Sequence, residues 1–327
     1  MAIVAGIDEA GMGPVLGPLV VCASVLEVPD SAADTCLWRL LAPAVSRRAG
    51  RKSAAVAIGD SKRLFNRKSK RPLRHLERAV LGMLHTRPRA RGPNDFTTFA
   101  DLLRAVARDG ADRASEYPWY RPGELSLPRC MTATDVALSG NALAAGLDKA
   151  GARLLGIRAE PMFAGGFNRV VRATRNKGTT VIGVTCRLLA HLWARLKRGR
   201  MLINADRQGG RMLYMPPLER TFEGCRFRII REDQTCSAYE ISDARRTAVV
   251  SFRVNAEQHH LPVALASMAA KYIRELFMEM FNAFWADRVE GLAPTAGYYV
   301  DGRRFFGQIE PAIRELGIHK DTIYRCR

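Results

Sequence analysis

The sequence has little that would build a disulfide or zinc framework. Its 327 residues include seven cysteines, an odd number, and no two of them are spaced as Cys-x-x-Cys. Structural zinc sites and the bridged domains of secreted proteins normally show paired cysteines at short, regular spacings. The cysteine pattern therefore disfavours both kinds of site and predicts a protein of the reducing cytoplasm.

Long apolar runs are also missing. No apolar stretch reaches the roughly 20 residues that a membrane-spanning helix needs, and the uncharged start of the chain runs directly into Asp8 without a basic-then-apolar leader. We therefore expect a soluble, cytoplasmic protein that has no membrane partner. The sequence indicates no protein partner.

Acidic residues are scarce relative to basic ones. Asp and Glu number 32 against 51 Lys and Arg, which gives a formal net charge of +19 and a pI near 10.2. Such an excess favours a polyanionic partner, chiefly nucleic acid, and speeds encounter with it. Charge alone does not separate a nuclease from a passive binder or a ribosome-associated factor.

The 47% hydrophobic content is enough for one large domain or two smaller ones.

The segment from Gly6 to Pro18 carries the clearest chemical signal. An apolar run ends in two adjacent carboxylates, Asp8 and Glu9, and a turn rich in glycine and proline follows. Adjacent side chains of a strand point to opposite faces, and glycines let another backbone approach closely. Paired oxygen ligands beside such a turn indicate a divalent metal and a phosphate substrate. The bare pattern also fits a strand that simply ends in a polar turn.

Hydrophobic periodicity predicts an α/β protein with a mixed sheet. The predicted strands cover residues 2–7, 19–26, 154–159, 201–206, 226–231 and 248–254. The predicted helices cover residues 31–50, 73–84, 131–150, 179–197, 263–284 and 305–316. The second of these helices has a basic face, because the chain carries eleven Lys or Arg and one acid between Lys62 and Arg91.

Residues 85–128 differ in composition from their surroundings. They are rich in Pro, Arg, Gly and Asp around one short apolar-periodic piece, 99–106. This composition predicts an insertion or a partly ordered segment rather than core.

Two more acids, like the first pair, stand at or just after the end of a predicted strand. Asp206 ends a predicted strand, and Glu257 stands where a strand steps into a helix. Hydrolysis of a phosphodiester by two metal ions needs several carboxylates that converge from different strands. Sequence alone does not bring Asp8, Glu9, Asp206 and Glu257 together, and a solvated strand end explains each of the later two equally well.

Five motifs, in this order along the chain, resemble those of the type 2 ribonucleases H, the ribonucleases HII and HIII. They are the glycine segment 6–18, Asp-Ser-Lys-Arg-Leu at 60–64, Arg-Ala-Glu-Pro at 158–161 with Phe167-Asn168, the strand 202–206 ending in Asp, and Glu257 ahead of Ser-Met-Ala-Ala-Lys at 267–271. The resemblance implies a ribonuclease H-like mixed sheet flanked by helices, with a helical C-terminal extension. It divides the chain into a catalytic domain, 1–284, with a probable insertion within 85–150, and an extension, 285–327, packed on it.

The same resemblance implies the site. Its four metal-binding, catalytic carboxylates would be Asp8, Glu9, Asp206 and Glu257, holding Mg²⁺ or Mn²⁺. The matching substrate-binding positions are Gly11, Met12, Gly13, Ser61, Lys62, Asn168, Lys271 and Tyr298.

Two departures from the family pattern bear on the substrate. Met12 stands where family members carry Arg, Lys or Thr, in a turn that grips the ribonucleotide 2′-hydroxyl largely through backbone groups. Glu257 is typical of HIII rather than HII, yet residues 1–7 leave no room for the separate N-terminal domain of HIII enzymes. Tyr298, or its neighbour Tyr299, lies where HII has a tyrosine that reads the RNA–DNA junction, although the surrounding residues match poorly.

The sequence therefore predicts a metal-dependent endoribonuclease that cleaves the RNA strand of RNA/DNA hybrids and leaves a 3′-hydroxyl and a 5′-phosphate. Single ribonucleotides in duplex DNA would be further substrates if the turn at Met12 still works. Two alternatives stay open: a nucleic-acid-binding protein that kept the fold without catalysis, and a nuclease of related fold that acts on DNA.

Overall fold

We describe the fold from a computed structural model, which covers residues 1–50, 54–87, 96–196 and 199–326. Its centre is a seven-stranded mixed sheet with the order β5-β2-β1-β6-β9-β8-β7. The strands are β1 (Ala2–Ala10), β2 (Leu19–Val28), β5 (Arg153–Met162), β6 (Gly199–Asp206), β7 (Arg226–Glu232), β8 (Cys236–Ser242) and β9 (Arg246–Arg253). A separate parallel pair joins β3 (Val45–Ser46) to β4 (Val56–Ala57).

The three central strands of the sheet are parallel, and the outer ones are antiparallel. Strand β1 pairs with β6 in parallel, and β6 pairs with β9 in parallel. The remaining pairs, β1–β2, β2–β5, β8–β9 and β7–β8, are antiparallel. The carboxyl ends of β1, β6 and β9 therefore meet at one edge of the sheet, where Asp8 and Asp206 stand.

Helices cover both faces of the sheet, as the sequence predicts. They are α1 (Leu37–Leu40), α2 (Ser61–Leu64), α3 (Arg74–His85), α4 (Phe99–Val106), α5 (Gly110–Ser115), α6 (Ala133–Lys149), α7 (Ala164–Thr174), α8 (Lys177–Arg195), α9 (Met215–Thr221), α10 (Leu261–Ala286) and α11 (Tyr299–Glu315). One core cluster joins α10, α3 and α4 to the sheet, and a second joins α7, α8 and α9 to its other face. The predicted fold class, with helical structure at the end of the chain, is confirmed.

Helix α10 lies unusually close to β1. A Cβ atom placed on Gly6 would come within 2.1 Å of the backbone carbon of Pro262 and the backbone nitrogen of Val263. The hydroxyl of Ser24 on the neighbouring strand donates to the Pro262 carbonyl at 2.7 Å. Glycine at position 6 therefore allows the start of α10, and the Glu257 segment before it, to sit directly against the strand that carries Asp8.

One predicted helix is wrong, and one strand of the seven-stranded sheet was not predicted. Residues 31–50 form only a 3-10 turn, the four-residue α1 and β3, not one helix. Proline at position 43 lacks the N–H that a helix would need there and clashes with the preceding turn, so α1 stops before it. The sequence also missed β8, whose buried face was hidden among Ser and Glu residues.

The segment predicted to lie outside the core contributes to it instead. Phe99, Leu103, Trp119 and Tyr120 are all buried, and the Phe99 and Tyr120 rings pack against Phe277 of α10 at 4.8 and 4.9 Å between centroids. These aromatic contacts supply core area that the surrounding Arg, Pro and Gly concealed in the composition. Residues 88–95 of the predicted insertion lie outside the described residues, and the division into 1–284 and 285–327 stays a prediction.

Candidate active site

The site begins with two carboxylates on adjacent parallel strands. In the β1–β6 register the last pair is Ile7 opposite Ala205, so Asp8 and Asp206 directly follow it on the two strands. Ile7 and Ala205 are buried in the core on the α8 face. Because side chains alternate along a strand, Asp8 and Asp206 share the opposite face, where α10 packs.

Burial and mutual repulsion act on both of these acids. Burial, followed by the charges of Glu9 and Asp206, raises the pKa of Asp8 well above its usual value. Burial also raises the pKa of Asp206 to about 6, and the charge of Glu257 adds to the rise. The Asp206 carboxylate still accepts a hydrogen bond from the Ala256 backbone nitrogen at 2.8 Å. Acids that raise one another's pKa lie close together, and such clusters concentrate at functional sites.

Glu9 points to the other face of β1 but remains electrostatically tied to the same centre. Burial, and then the charge of Asp206, raises the pKa of Glu9 to about 7. The exposed ammonium of Lys62 acts in the opposite direction and lowers the pKa of both Glu9 and Asp206. Lys62 follows Asp60, whose side chain caps α2 by accepting from the Lys62 backbone nitrogen at 2.9 Å. The Asp-Ser-Lys motif thus brings a cation to the carboxylates.

Glu257 completes the acidic set from a separate element. It lies in a 3-10 turn, Ala256–Gln258, that follows β9 and leads into α10. The preceding residue, Asn255, adopts a left-handed conformation with φ 55°, which Asn tolerates better than most residues. The charge of Glu257 raises the pKa of Asp206, so the structure brings the fourth predicted acid to the same edge of the sheet.

A pair of buried serines supports Asp8. Ser61 was predicted as a site residue from the sequence, and Ser267 was not. Ser267 of α10 hydrogen-bonds the Asp8 carboxylate, which lowers the pKa of Asp8 against the larger effect of burial. The Ser267 and Ser61 hydroxyl oxygens are 3.0 Å apart and share a hydrogen bond. Ser61, predicted to contact substrate, therefore lies behind Asp8 through Ser267. The signal for Ser267 was present in the 267–271 motif.

The glycine turn stands beside these acids with its backbone tightly packed. Gly11 has φ 93°, and a Cβ there would lie 2.5 Å from the Arg274 Nε atom. Met12 is half-buried and packs against the core on the α8 face, whereas Gly13 is exposed. A Cβ on Gly13 would lie 3.9 Å from the ring of Tyr298. Tyr298 is 56% exposed, so it borders the turn with an open ring.

Two predicted substrate-binding residues have other roles in the structure. Asn168 is buried, and its amide donates to the Asp321 and Tyr324 carbonyls at 3.0 and 2.8 Å. Its oxygen accepts from the Cys326 nitrogen at 2.7 Å. Both amide hydrogens are used to hold the chain at 321–326, and a contact of Asn168 with substrate stays a prediction.

Lys271 is the second of these residues, and its contact with substrate also stays a prediction. Its ammonium is 2.8 Å from the Glu275 carboxylate and lies 4.6 Å from the Phe65 ring centre. Its side chain is only 17% exposed. A lysine that is paired and covered in this way stabilises the contact between α10 and the residues after α2 rather than offering a free charge to phosphate.

The donor set fits a hard divalent cation chemically. Asp8, Glu9, Asp206 and Glu257 offer only carboxylate oxygens, the ligands that Mg²⁺ and Mn²⁺ prefer, and a cation among them would offset the repulsion that raises their pKa values. Within the described ranges, no three His, Cys, Asp or Glu side chains are close enough together to hold an ion as they stand.

Comparison with known proteins gives a distant structural likeness. No family model matches the chain, and no curated protein matches it. The structure is similar to a Q54A mutant of Bst-RNase HIII, with 15% identity, a TM-score of 0.43 and coverage of 98% of this chain and 65% of that one. It is similar to Bst-RNase HIII in complex with Mn²⁺, with 16% identity, a TM-score of 0.41 and coverage of 99% and 66%.

A third similar structure is Archaeoglobus fulgidus RNase HII in a complex with PCNA, with 15% identity, a TM-score of 0.37 and coverage of 99% of this chain and 94% of that one. This chain thus spans about two thirds of the length of the Bst enzyme. All three are ribonucleases of the family whose motifs this sequence resembles. In the described part of the chain, no helix is long and apolar enough to cross a membrane.

The raised pKa values make a prediction about the metal-free protein. Glu9 and Asp206 bind a proton more tightly when folded than when unfolded, so their contribution to the free energy of unfolding falls as pH rises from about 4 to about 7. Removing the Lys62 charge by Lys62→Met raises both pKa values further. We expect it to deepen the loss of stability between pH 5 and pH 8 by roughly 0.5–1 kcal/mol, the range of exposed charge pairs.

Urea unfolding in EDTA at the two pH values measures this effect. Lys70→Met, which removes an exposed lysine of the same basic run, is the matched control. It should change the free energy of unfolding by the same amount at both pH values. The same pH dependence of the free energy of unfolding in the two variants would contradict the placement of Lys62 beside the carboxylates.

Proposed function

We propose that the protein is a metal-dependent endonuclease that hydrolyses the RNA strand of RNA/DNA hybrids. The observation that carries the proposal is that Asp8 and Asp206 directly follow the last residue pair of two adjacent parallel strands, beside a glycine turn. Glu9 and Glu257 act electrostatically on the same centre. The motif resemblance along the chain supports the same activity, and the net charge of +19 suits a nucleic-acid substrate.

In this proposal Asp8 and Asp206 hold the cations, and Glu9 and Glu257 complete the set of oxygen ligands. Bound Mg²⁺ or Mn²⁺ would supply Lewis-acid stabilisation of the phosphate and of the leaving oxygen. Ser267 keeps the Asp8 carboxylate oriented, and Lys62 favours the ionised form of Glu9 and Asp206. Hydrolysis of the P–O3′ bond by water leaves a 3′-hydroxyl and a 5′-phosphate.

Substrate choice rests on the glycine turn. Gly11, Met12 and Gly13 follow Asp8 and Glu9 in the chain, and Tyr298 lies beside Gly13; these are the groups we assign to the ribonucleotide. We propose that residues 1–284 form the catalytic unit, with 285–327, which includes Tyr298, as an extension of it. We further propose that the protein acts in the cytoplasm and that it also cleaves at single ribonucleotides in duplex DNA.

Met12 favours one alternative, a protein that binds nucleic acid without cutting it. The thioether packs against the core and offers no charge to a phosphate, where the resembled family has a basic or hydroxyl side chain. Binding of a hybrid without cleavage, in both Mg²⁺ and Mn²⁺, would establish this alternative.

One assay separates these functions. End-labelled RNA/DNA hybrid, all-DNA duplex and a DNA duplex with a single ribonucleotide are incubated with the protein in Mg²⁺, in Mn²⁺ and in EDTA. We expect cleavage of the hybrid with either ion, none in EDTA and none of the all-DNA duplex. Equal cleavage of the all-DNA duplex would instead indicate a DNA nuclease, and no cleavage with either ion would refute the proposed activity.

A further inference from the structure

The inner side of the glycine turn is held by an arginine that is distant in sequence. Arg325 is 1% exposed, and its Nη2 atom donates to the Gly11 carbonyl at 2.5 Å and also to the Pro14 carbonyl. Its backbone nitrogen donates to the Val15 carbonyl at 2.8 Å. A single residue therefore binds three backbone carbonyls, those of Gly11, Pro14 and Val15, in the turn that follows Asp8 and Glu9.

The segment that carries this arginine, residues 321–326, is itself firmly anchored. Tyr324 forms an antiparallel bridge with Leu16, and Asn168 holds the segment by the three hydrogen bonds described above. Arg172 adds an ion pair with Asp321 at 2.6 Å. The guanidinium of Arg325 lies 4.6 Å from the Phe167 ring centre. These contacts fix where the guanidinium meets the turn.

Burying this arginine is costly, which argues against a purely incidental contact. Burial, and then the charge of Arg274, lowers the pKa of Arg325 to about 9. Two of its nitrogens, Nε and Nη1, are buried without a hydrogen-bond partner in the described part of the protein. A buried and incompletely paired cation is destabilising by itself, so its presence here calls for a specific explanation.

Binding of the Gly11 carbonyl by Arg325 also orients the next N–H group, that of Met12. In a planar trans peptide the carbonyl of one residue and the N–H of the next point in opposite directions. Because the Gly11 carbonyl is bound from the inside by Arg325, the Met12 N–H must point away from the guanidinium. Gly11 and Met12 are half-buried and Gly13 is exposed, so part of this turn is open to solvent.

We propose that Arg325 is a positioning residue that presents the Met12 N–H as a fixed hydrogen-bond donor to an oxygen of the nucleic-acid backbone. This inference rests on the proposed nuclease function. Recognition through the turn backbone is what the family resemblance already implies; what the inference adds is the residue that holds that backbone in place. It also makes residues 321–326, which include none of the four candidate metal-binding carboxylates, a part of the substrate site.

The test compares Arg325→Met, Arg325→Lys and Arg314→Met. Arg314 is exposed on α11 and pairs only at 3.4 Å with Glu310, so its variant removes one charge elsewhere. Hydrogen exchange of the turn amides is measured in the free protein, and KM and kcat are measured on the RNA/DNA hybrid. We expect Arg325→Met to exchange at least tenfold faster at the turn and to raise KM at least tenfold, with kcat changed by less than threefold. Exchange within α10 should be unchanged.

Arg325→Lys keeps the charge and can reach one carbonyl, so we expect it to restore KM to within about threefold, and Arg314→Met should match wild type. Wild-type exchange at the turn together with a wild-type KM in Arg325→Met would overturn the inference. Protein-wide loss of protection in both Arg325 variants would also overturn it, because the residue would then serve the whole fold. If wild type cuts no hybrid, the proposed function fails, while turn exchange and hybrid affinity still decide the role of Arg325.

Discussion

Asp206→Asn is expected to abolish cleavage of an RNA/DNA hybrid, a loss of about 10³-fold or more, while leaving the protein folded. Charge stabilisation by a bound cation is worth several kcal/mol in the transition state, and an amide oxygen holds a cation far less firmly than a carboxylate does. The Asn side chain has the same shape and can still accept the hydrogen bond from the Ala256 nitrogen. Asp8→Asn should behave in the same way.

The same substitution should stabilise the metal-free protein at pH 8. Burial and the charge of Glu257 raise the pKa of Asp206 to about 6, so ionised Asp206 opposes folding at that pH. Its neutral replacement is expected to raise the free energy of unfolding by roughly 1–3 kcal/mol in EDTA. Urea unfolding and a cleavage time course on one preparation measure both effects.

Asp243→Asn is the matched control. Asp243 pairs with Arg246 at 2.6 Å, and this pairing lowers the pKa of Asp243. Its substitution should therefore lower stability at pH 8 and leave cleavage intact. Wild-type cleavage by Asp206→Asn or by Asp8→Asn would contradict the assignment of the site.

Gly6→Ala is expected to cause the largest loss of stability, about 3 kcal/mol or more. The new methyl group would lie 2.1 Å from backbone atoms of Pro262 and Val263, and no rotamer can relieve a clash between backbone and Cβ. The helix must move off the strand. Because α10 carries Ser267 and follows Glu257, the folded fraction should also lose activity.

Gly183→Ala provides the control for this substitution. Gly183 lies inside α8, and a Cβ there meets nothing within 4 Å. Alanine at an open helical position should stabilise the protein by about 0.5–1 kcal/mol. Urea unfolding of the two variants measures both effects, and equal stabilities would show that α10 does not approach β1 as closely as described.

Local pattern was enough to predict most of the regular elements. The strand before Asp206 and helices α3, α6, α8 and α10 lie within a few residues of their predicted positions, although the predicted end of α8 at residue 197 falls outside the described residues. Prediction failed where the deciding interaction is not periodic. Proline at 43 ended a helix, and the aromatic residues of 99–120 entered the core despite their polar neighbours.

The candidate site divides in the same way. Asp8, Glu9, Asp206 and Glu257 could be predicted because acids at strand ends, within recognisable motifs, are visible in the chain itself. For Asn168 and Lys271, motif position did not reveal that the amide binds residues 321–326 or that the ammonium pairs with Glu275. Arg325 gave no signal at all, because its partners, the Gly11 and Pro14 carbonyls, are main-chain groups.

The sequence by itself determined the chemistry that the protein can offer: a strongly basic chain, four carboxylates at the ends of elements and a glycine turn beside two of them. These properties are local, so they can be recognised without a fold. Only the tertiary structure decided that Asp206 stands next to Asp8, that Ser267 supports Asp8 from α10 and that Arg325 holds the turn. Those relations join residues about 200 to 300 positions apart, and strand pairing and helix packing, which bring them together, depend on the whole chain.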